Sequence, residues 1–147
     1  MKRILVLAAI NVAAIAAIAV VSADGKTRFD TLKLVLRAGP SSEVDNPPAG
    51  RSQGDIVVTT DTVEAKGKTE GRARSVCIVA TGTISECHGE MVFANGRIFF
   101  QSPLIEGTAR YTGAIVGGTK SFAAARGYLT YTPRGSGRVD VTGYFVR

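Results

Sequence analysis

Short runs that alternate apolar and polar residues recur from residue 29 to residue 146, separated by turns rich in glycine, proline and asparagine. In Phe29 to Ala38, three leucines share one face while Lys33 and Arg37 share the other, which is typical of a half-buried strand. The same pattern predicts strands at 29–38, 55–63, 74–81, 85–93, 97–102, 110–116, 127–132 and 139–146.

Eight strands with polar turns and no long helix favour an antiparallel β-barrel or sandwich. Only Ser121 to Ala125 is suited to a helical turn, and it is too short to form a layer. Pro103 is expected to end the fifth strand, because proline cannot donate to a central ladder. The segment Gly39 to Gly54 is expected to be a loop that covers a cavity, since it holds three prolines and three glycines.

The segment Gly113 to Tyr131 organises the predicted sheet. A β-branched run leads into Gly117 and Gly118, and Gly127 opens the next apolar run. Since glycine has no Cβ, the first two glycines are expected to form the joint between two strands, through a positive φ angle or the close approach of another backbone. A sheet that bends sharply at this point is expected to close on itself.

The first 23 residues have the features of a secretory signal peptide. Lys2 and Arg3 precede an apolar run of about 18 residues, and Val21-Ser22-Ala23 has the small-x-small form that signal peptidase accepts. Cleavage after Ala23 predicts a secreted domain, 24–147, without stable membrane association. An uncleaved membrane anchor is the alternative, because the apolar run is near the lower limit for a spanning helix.

Loss of the signal peptide lowers the formal net charge from +6 to +4, because Lys2 and Arg3 are removed. The densest basic cluster, 66–74, also contains Glu70 and has no aromatic residue on which a base would stack. A weakly basic surface of this kind predicts no nucleic-acid partner.

Cys77 and Cys87 are the only cysteines, and they lie ten residues apart about a turn centred on Gly82. In an antiparallel hairpin with that centre they are opposite each other on the same face, near disulfide separation. Export to an oxidising compartment favours a disulfide between them. The alternative is a free Cys77 thiol that takes part in catalysis.

Asp61 is the main candidate for chemistry. Its strand face also carries Thr59 and Val63, so an inward orientation would place the carboxyl among apolar groups, where desolvation raises its pKa and suits it to act as a general acid or base. An exposed acid near a strand end is the alternative. Arg126, beside the glycine joint, is expected either to pair with a buried acid such as Asp61 or to extend to the rim.

Other catalytic sets are incomplete. His88 is the single histidine, and with Glu86 and Glu90 on its strand face it makes a partial set for a metal that needs three or four converging ligands. The chain has no serine-histidine-acid series and no phosphate-binding loop with its lysine. The sequence therefore predicts neither a metal nor an organic cofactor.

Three segments, in the same order, resemble motifs of the allene oxide cyclase and dirigent families. The segment GAIVGGTKSFAAARGY (113–128) resembles the dirigent signature VVGGTGxFxxARG, with Lys120 where that signature has a glycine. GDIVVTTDTV (54–63), followed by RSVCIVA (74–80), is similar to the cyclase segments GDLVPFTNKL and GLCVVI, and NGRIFFQSPL (95–104) is similar to GHLSVQGPYL. The resemblance implies an all-β, eight-stranded antiparallel barrel that assembles as a homotrimer.

The cyclase resemblance also implies a pocket. Cys77 falls on that family's pocket cysteine, Asp61 falls where the family keeps an asparagine that helps to hold a water near the epoxide oxygen, and Leu104 replaces its pocket tyrosine. No residue from 24 to 37 matches the family's pocket glutamate. Tyr111 takes the position of the arginine that dirigent proteins carry.

Two functions fit these features. The first is a secreted, metal-free cyclase or isomerase, or a stereo-directing protein, in which the barrel orients a small hydrophobic molecule and Asp61 supplies an acid or base. The candidate binding residues are Thr59, Val63, Leu104 and Arg126. The second function is an extracellular binding or scaffold barrel without catalysis.

An oligomer is also expected from the pattern of aromatic residues. Phe99 and Phe100 are adjacent, so alternation places one of them on the outer face of the barrel. A large apolar side chain that is exposed there favours an interface with another copy.

Overall fold

The computed structural model describes residues 30–146, which form one antiparallel sheet closed into a barrel. The strands are β1 (Asp30–Arg37), β2 (Ser41–Val44), β3 (Ile56–Ala65), β4 (Lys68–Thr81), β5 (Ile84–Phe93), β6 (Gly96–Ile105), β7 (Tyr111–Lys120), β8 (Arg126–Gly135) and β9 (Arg138–Val146). From β3 to β9 each strand pairs with the next, and β1 pairs with both β9 and β3 to complete the ring. Because β2 continues the line of β1 along β3, the predicted eight-stranded barrel is confirmed.

The predicted signal peptide lies outside the described residues, as does Arg147. Within 30–146 the search for a helix long and apolar enough to cross a bilayer found none.

Several of the expected strand boundaries are wrong, among them the start of β4 and the end of β6. β4 begins at Lys68 rather than at Arg74, because Lys66 and Gly67 take positive φ angles of 50° and 75° and make a tight two-residue turn. β6 continues through Pro103, which pairs with β5 only. The ladder between β6 and β7 has already ended at residue 101, so this proline lies on an edge where it is tolerated.

Gly117 and Gly118 lie inside β7, and residues 121–125 form the turn to β8. The expected positive φ angle is absent at both glycines, and the register of β6 against β7 shifts at this point. A Cβ on Gly118 would collide with the carbonyl oxygens of Arg97 and Phe122. Gly118 therefore serves the close approach of two backbones rather than a turn, whereas a Cβ on Gly117 would make only ordinary contacts with two side chains.

Gly127, at the start of β8, has a φ angle of 155°. A Cβ at this position would overlap the carbonyl oxygen of Tyr144 on β9. This glycine is therefore needed for the close pairing of the last two strands.

The barrel lumen is packed solid at one end. This is the end at which tight turns join β3 to β4, β5 to β6 and β7 to β8. Phe122, from the last of these turns, packs against Phe93 and Phe145, with ring centroids 5.6 and 6.2 Å away. The side chains beneath this aromatic cluster are fully buried, and they include Val63, Met91, Ile98, Leu129 and Val141.

The segment 39–54 is fastened to the barrel edge. It contains β2, and the fully buried Asp55 carboxylate accepts hydrogen bonds from the backbone N–H groups of Ser52 at 2.6 Å and Asn46 at 2.8 Å. These hydrogen bonds hold the pKa of Asp55 below its usual value. The expectation of a loop that covers the cavity is wrong, since no residue of 39–54 lines the cavity in the lumen.

Replacing Gly118 by alanine is expected to lower the free energy of unfolding by about 2 kcal/mol, because the new methyl group overpacks two backbone carbonyls. Gly82→Ala is the matched control, since a Cβ there meets no atom within 4 Å. Urea unfolding followed by circular dichroism measures both. Equal stability of the two variants would contradict the role assigned to Gly118.

Candidate functional site

The other end of the lumen holds a cavity of about 160 Å³. Its wall is polar on β3 and β4 and aromatic on β6, β7 and β8. The polar side consists of Thr59, Asp61 and Ser75; the aromatic side consists of Phe100, Tyr111 and Tyr131; and the remainder is formed by Leu36, Ala73, Cys77, Cys87, Ser102, Leu104 and Val139. The cavity surface is mainly apolar, with a few polar groups concentrated on one side.

A break in the first strand positions Asp61. Between β1 and β2, residues 38–40 face only Thr60 and Asp61 of β3, so the ladder accommodates one extra residue. This break directs the backbone N–H of Gly39 to the Asp61 carboxylate, with 3.3 Å from nitrogen to Oδ1. A Cβ on Gly39 would overlap the carbonyl oxygen of Thr60, so only glycine fits here.

Asp61 is half-buried and faces the cavity, so the alternative in which this face of its strand points into the barrel is the correct one. Desolvation raises the pKa of its carboxyl above the usual value, and the Gly39 N–H offsets part of that rise. Among the described residues that line the cavity, Asp61 is the only charged one. A carboxyl group whose proton is held more tightly than usual is better suited to general acid or base chemistry than an exposed one.

Two stacked tyrosines form the wall near Asp61. The rings of Tyr111 and Tyr131 are 4.9 Å apart and 11° from parallel. Burial, followed by the nearby Asp61 charge, raises the pKa of Tyr111 to about 12. Burial and then Tyr111 raise the pKa of Tyr131 further, and the neighbouring Ser102 offsets part of the rise. Both phenols therefore stay protonated and are available as hydrogen-bond donors.

The cysteines form the predicted disulfide. Cys77 and Cys87 are directly opposite each other on β4 and β5, and their sulfurs are bonded. The alternative of a reactive Cys77 thiol is therefore wrong, because a sulfur in a disulfide bond cannot ionise to a nucleophilic thiolate. Instead the disulfide forms part of the cavity wall.

The expected binding residues separate into two groups. Thr59 and Leu104 line the cavity, and the Thr59 hydroxyl lies 2.8 Å from that of Ser75. Val63 does not line it, because two residues further along β3 the lumen is already packed. Arg126 is exposed at the opposite end of the barrel, where its guanidinium donates to the carbonyl of Ala125 at 2.7 Å. Pairing of Arg126 with Asp61 is excluded by this separation.

Several other positions lie on the outside of the barrel. His88 is exposed on β5, and no group of three or more potential metal ligands converges within residues 30–146. Arg110 is exposed just before β7. Phe100 faces the lumen, whereas Phe99 is half-buried and not fully exposed as expected.

A second depression, of about 220 Å³, adjoins the cavity at the barrel mouth. It shares Leu36, Asp61 and Val139 with the cavity, and the β8–β9 turn at Gly135 and Gly137 forms its far side. Asp61 therefore lies between an inner and an outer compartment.

Sequence reasoning missed the residues that complete the site. Tyr111 was noted only as a replacement for an arginine, and Tyr131 and Ser102 were not singled out. Alternation along β6, β7 and β8 places all three inward, but it does not show which inward residues pack and which line a void.

No protein-family model and no curated protein matches the sequence. Solved structures do match its fold. A pyocyanin demethylase is similar over 80% of this chain and 100% of its own, with a TM-score of 0.73 and 22% identity. The pterocarpan synthase dirigent protein PsPTS1 matches over 82% of this chain and 96% of its own, with a TM-score of 0.67 and 18% identity.

A third structure is more distant. The Diels-Alderase AbmU from Streptomyces koyangensis matches over 84% of this chain and 72% of its own, with a TM-score of 0.57 and 14% identity. The chain thus has the fold of the dirigent-like and cyclase-like barrels, as its sequence motifs imply.

Replacing Asp61 by asparagine is expected to stabilise the fold at neutral pH, by less than about 1 kcal/mol because the carboxyl is only half-buried. The pKa of Asp61 is raised in the folded state, so the protonated carboxyl favours folding. This stabilisation is fully present below the unfolded pKa of 3.8, and it is lost as the pH rises through the folded-state pKa. Thermal unfolding of the variant and the wild type should therefore differ at neutral pH and converge in acid. A difference that grows in acid would contradict the raised pKa.

Proposed function

We propose that the barrel binds a small, mainly apolar molecule in the cavity and promotes, without a metal or organic cofactor, a cyclisation, isomerisation or stereo-directed coupling of that molecule. Asp61 gives or takes the proton. The observation that carries this proposal is a half-buried carboxyl with a raised pKa, alone as a charged group in a cavity with an aromatic wall.

The dimensions of the site support a ring-containing substrate. A cavity of about 150 Å³ is enough to hold benzene, so the inner compartment of about 160 Å³ encloses about one six-membered ring. The rest of a larger molecule would lie in the outer compartment of about 220 Å³. With Asp61 between the two compartments, the bond that reacts would lie near the junction.

The walls support orientation as the main catalytic contribution. Tyr111 and Phe100 present flat apolar faces, and the hydroxyls of Thr59 and Ser75 lie on the other side. A flexible molecule held between such walls loses most of its alternative conformers before it reacts. The solved structures of similar fold are named as a demethylase of pyocyanin, a pterocarpan synthase and a Diels-Alderase, which supports a role on small organic molecules.

A binding barrel without catalysis is the second candidate. It is favoured by the lack of a second base among the cavity residues, since the raised pKa values of both tyrosines keep their protons in place. In that case Asp61 would contribute to affinity only.

Asp61→Asn is expected to lower the turnover of an accepted substrate by about 100-fold, the usual contribution of one general acid or base. The first panel would contain pyocyanin, a linear triene that can undergo intramolecular cycloaddition, and a phenol coupled by an added oxidase. Substrate loss is followed by liquid chromatography, and product handedness is followed on a chiral column.

Two matched variants make this test specific. Glu86→Gln removes an exposed carboxylate from the outer face of β5 and should change nothing. Leu104→Trp fills the cavity mouth and should abolish both binding and turnover. Binding that Leu104→Trp abolishes, with no turnover of any substrate, would support the binding barrel instead. Turnover that Asp61→Asn leaves intact would contradict the role of Asp61.

We further propose that the protein is exported, cleaved after Ala23, and assembles with copies of itself. The disulfide between Cys77 and Cys87 supports export to an oxidising compartment. The outer face of β2, β3 and β4 supports assembly, because it carries a continuous apolar patch. Its members are Val44, Ile56, Val58, Val76 and Ile78, of which all but Ile56 are more than a third exposed.

The double variant Val58→Lys, Val76→Lys is expected to convert the oligomer to a monomer, because two charges in an apolar interface lack partners. Tyr128→Lys on the outer face of β8 is the control and should leave the assembly intact. Light scattering after size-exclusion chromatography gives the masses. A monomeric wild type would overturn the proposed assembly.

A further inference from the structure

The hydroxyl group of Tyr131 has no hydrogen-bond partner. The residue is 3% exposed, and its phenolic oxygen is buried without a partner among the described residues. Buried polar atoms of native proteins are nearly always hydrogen-bonded, and an unsatisfied one at a functional site calls for an explanation. Because Tyr131 also lines the cavity, a molecule bound there would supply the missing hydrogen-bond acceptor.

The ring of Tyr131 is held firmly on two sides. Tyr111 stacks on it at 4.9 Å, and Phe100 packs against it with centroids 6.3 Å apart and planes 58° from parallel. These contacts place the phenolic oxygen of Tyr131 at the cavity wall. The Ser102 hydroxyl is near enough to lower the pKa of Tyr131 in part, but the two hydroxyls do not meet hydrogen-bond geometry.

The charge of the cavity restricts what the partner can be. Within residues 30–146, the walls of the inner compartment contain no lysine, arginine or histidine, and their one charged residue is Asp61. A carboxylate or phosphate on the part of the molecule held there would enter an apolar site without a positive partner and near a negative one, which is strongly unfavourable. The outer compartment differs in this respect, because Arg138 lines it. An uncharged acceptor, such as a ketone, quinone or ether oxygen, meets neither obstacle.

We propose that the molecule bound in the cavity carries an uncharged acceptor oxygen on or beside its ring, and that this oxygen accepts a hydrogen bond from Tyr131. The ring then lies in the inner compartment against the aromatic wall, and the rest of the molecule extends past Asp61 into the outer compartment. Tyr131 is a specificity-determining residue in this arrangement. The inference rests on the proposed binding of a small molecule, and not on catalysis by Asp61.

Two probes of nearly equal shape test the inference. Cyclohexenone has a carbonyl oxygen where methylcyclohexene has a methyl group, and each is the size of one six-membered ring. In the wild type we expect cyclohexenone to bind about tenfold more tightly, since a site with an unpaired polar group discriminates against an analogue that cannot pair with it. Titrations of the isotope-labelled protein followed by NMR give both dissociation constants.

Tyr131→Phe removes one oxygen and should reduce the ratio of the two dissociation constants to about one, while methylcyclohexene binds as before. Tyr111→Phe is the matched control, because it removes the hydroxyl of the stacked neighbour and should keep the ratio. Ser102→Ala should also keep it. The carbonyl stretch of bound cyclohexenone should lie at lower frequency in the wild type than in Tyr131→Phe, which a purely structural effect of the substitution would not produce.

The outcomes separate this inference from the function on which it rests. Equal binding of both probes to the wild type, or a ratio that Tyr131→Phe leaves unchanged, would overturn the role of Tyr131 while the cavity remained a binding site. Failure of both probes to bind would overturn the inference and the proposed function together. Loss of turnover in Asp61→Asn concerns the proposed function alone.

Discussion

Closure of the barrel across a broken first strand is the constraint on which the site depends. β1 pairs with β3 over only three residues before residues 38–40 interrupt the ladder, and β2 resumes it. Without this contact the sheet would have two free edges. The interruption falls opposite Asp61, so the feature that weakens the closing ladder also supplies the Gly39 N–H that holds the carboxylate. The same interrupted ladder therefore closes the barrel and positions the carboxylate of Asp61.

One end of the lumen is packed and stabilises the fold, whereas the other end holds the candidate site. Three tight turns and the aromatic cluster around Phe122 close one end, and the side chains beneath that cluster are fully buried. At the other end small and polar residues such as Thr59, Ser75 and Ser102 replace large apolar ones on the inner face, and a void results. The disulfide between Cys77 and Cys87 braces the wall of that less densely packed half.

The sequence predicted the barrel and the disulfide, because both follow from local spacing: two-residue alternation and equal distances from a turn. It offered the inward orientation of Asp61 only as one of two alternatives, since a shared strand face does not show which way that face points. It did not predict the ends of the lumen. Val63 and Thr59 lie on the same face of β3, yet one is packed and the other lines the cavity, and only the volumes of residues from other strands decide which. The assignment of Arg126 to the binding site was wrong for a similar reason. Its position beside a glycine does not show which end of the barrel that strand terminus reaches.

The polar groups of the cavity are costly to the folded state, and this cost is itself an argument for function. Burial disfavours the charge on Asp61, and it leaves the Tyr131 hydroxyl without a partner. An apolar residue at either position would remove the cost, as the packed end of the same barrel shows. Both groups lie on the walls of one cavity, and the positioning of each depends on surrounding structure: the strand break at Gly39 for the acid and the stacked Tyr111 for the phenol. Polar groups that are costly, well positioned and adjacent are those expected of a site that gains its missing partners when it binds a molecule.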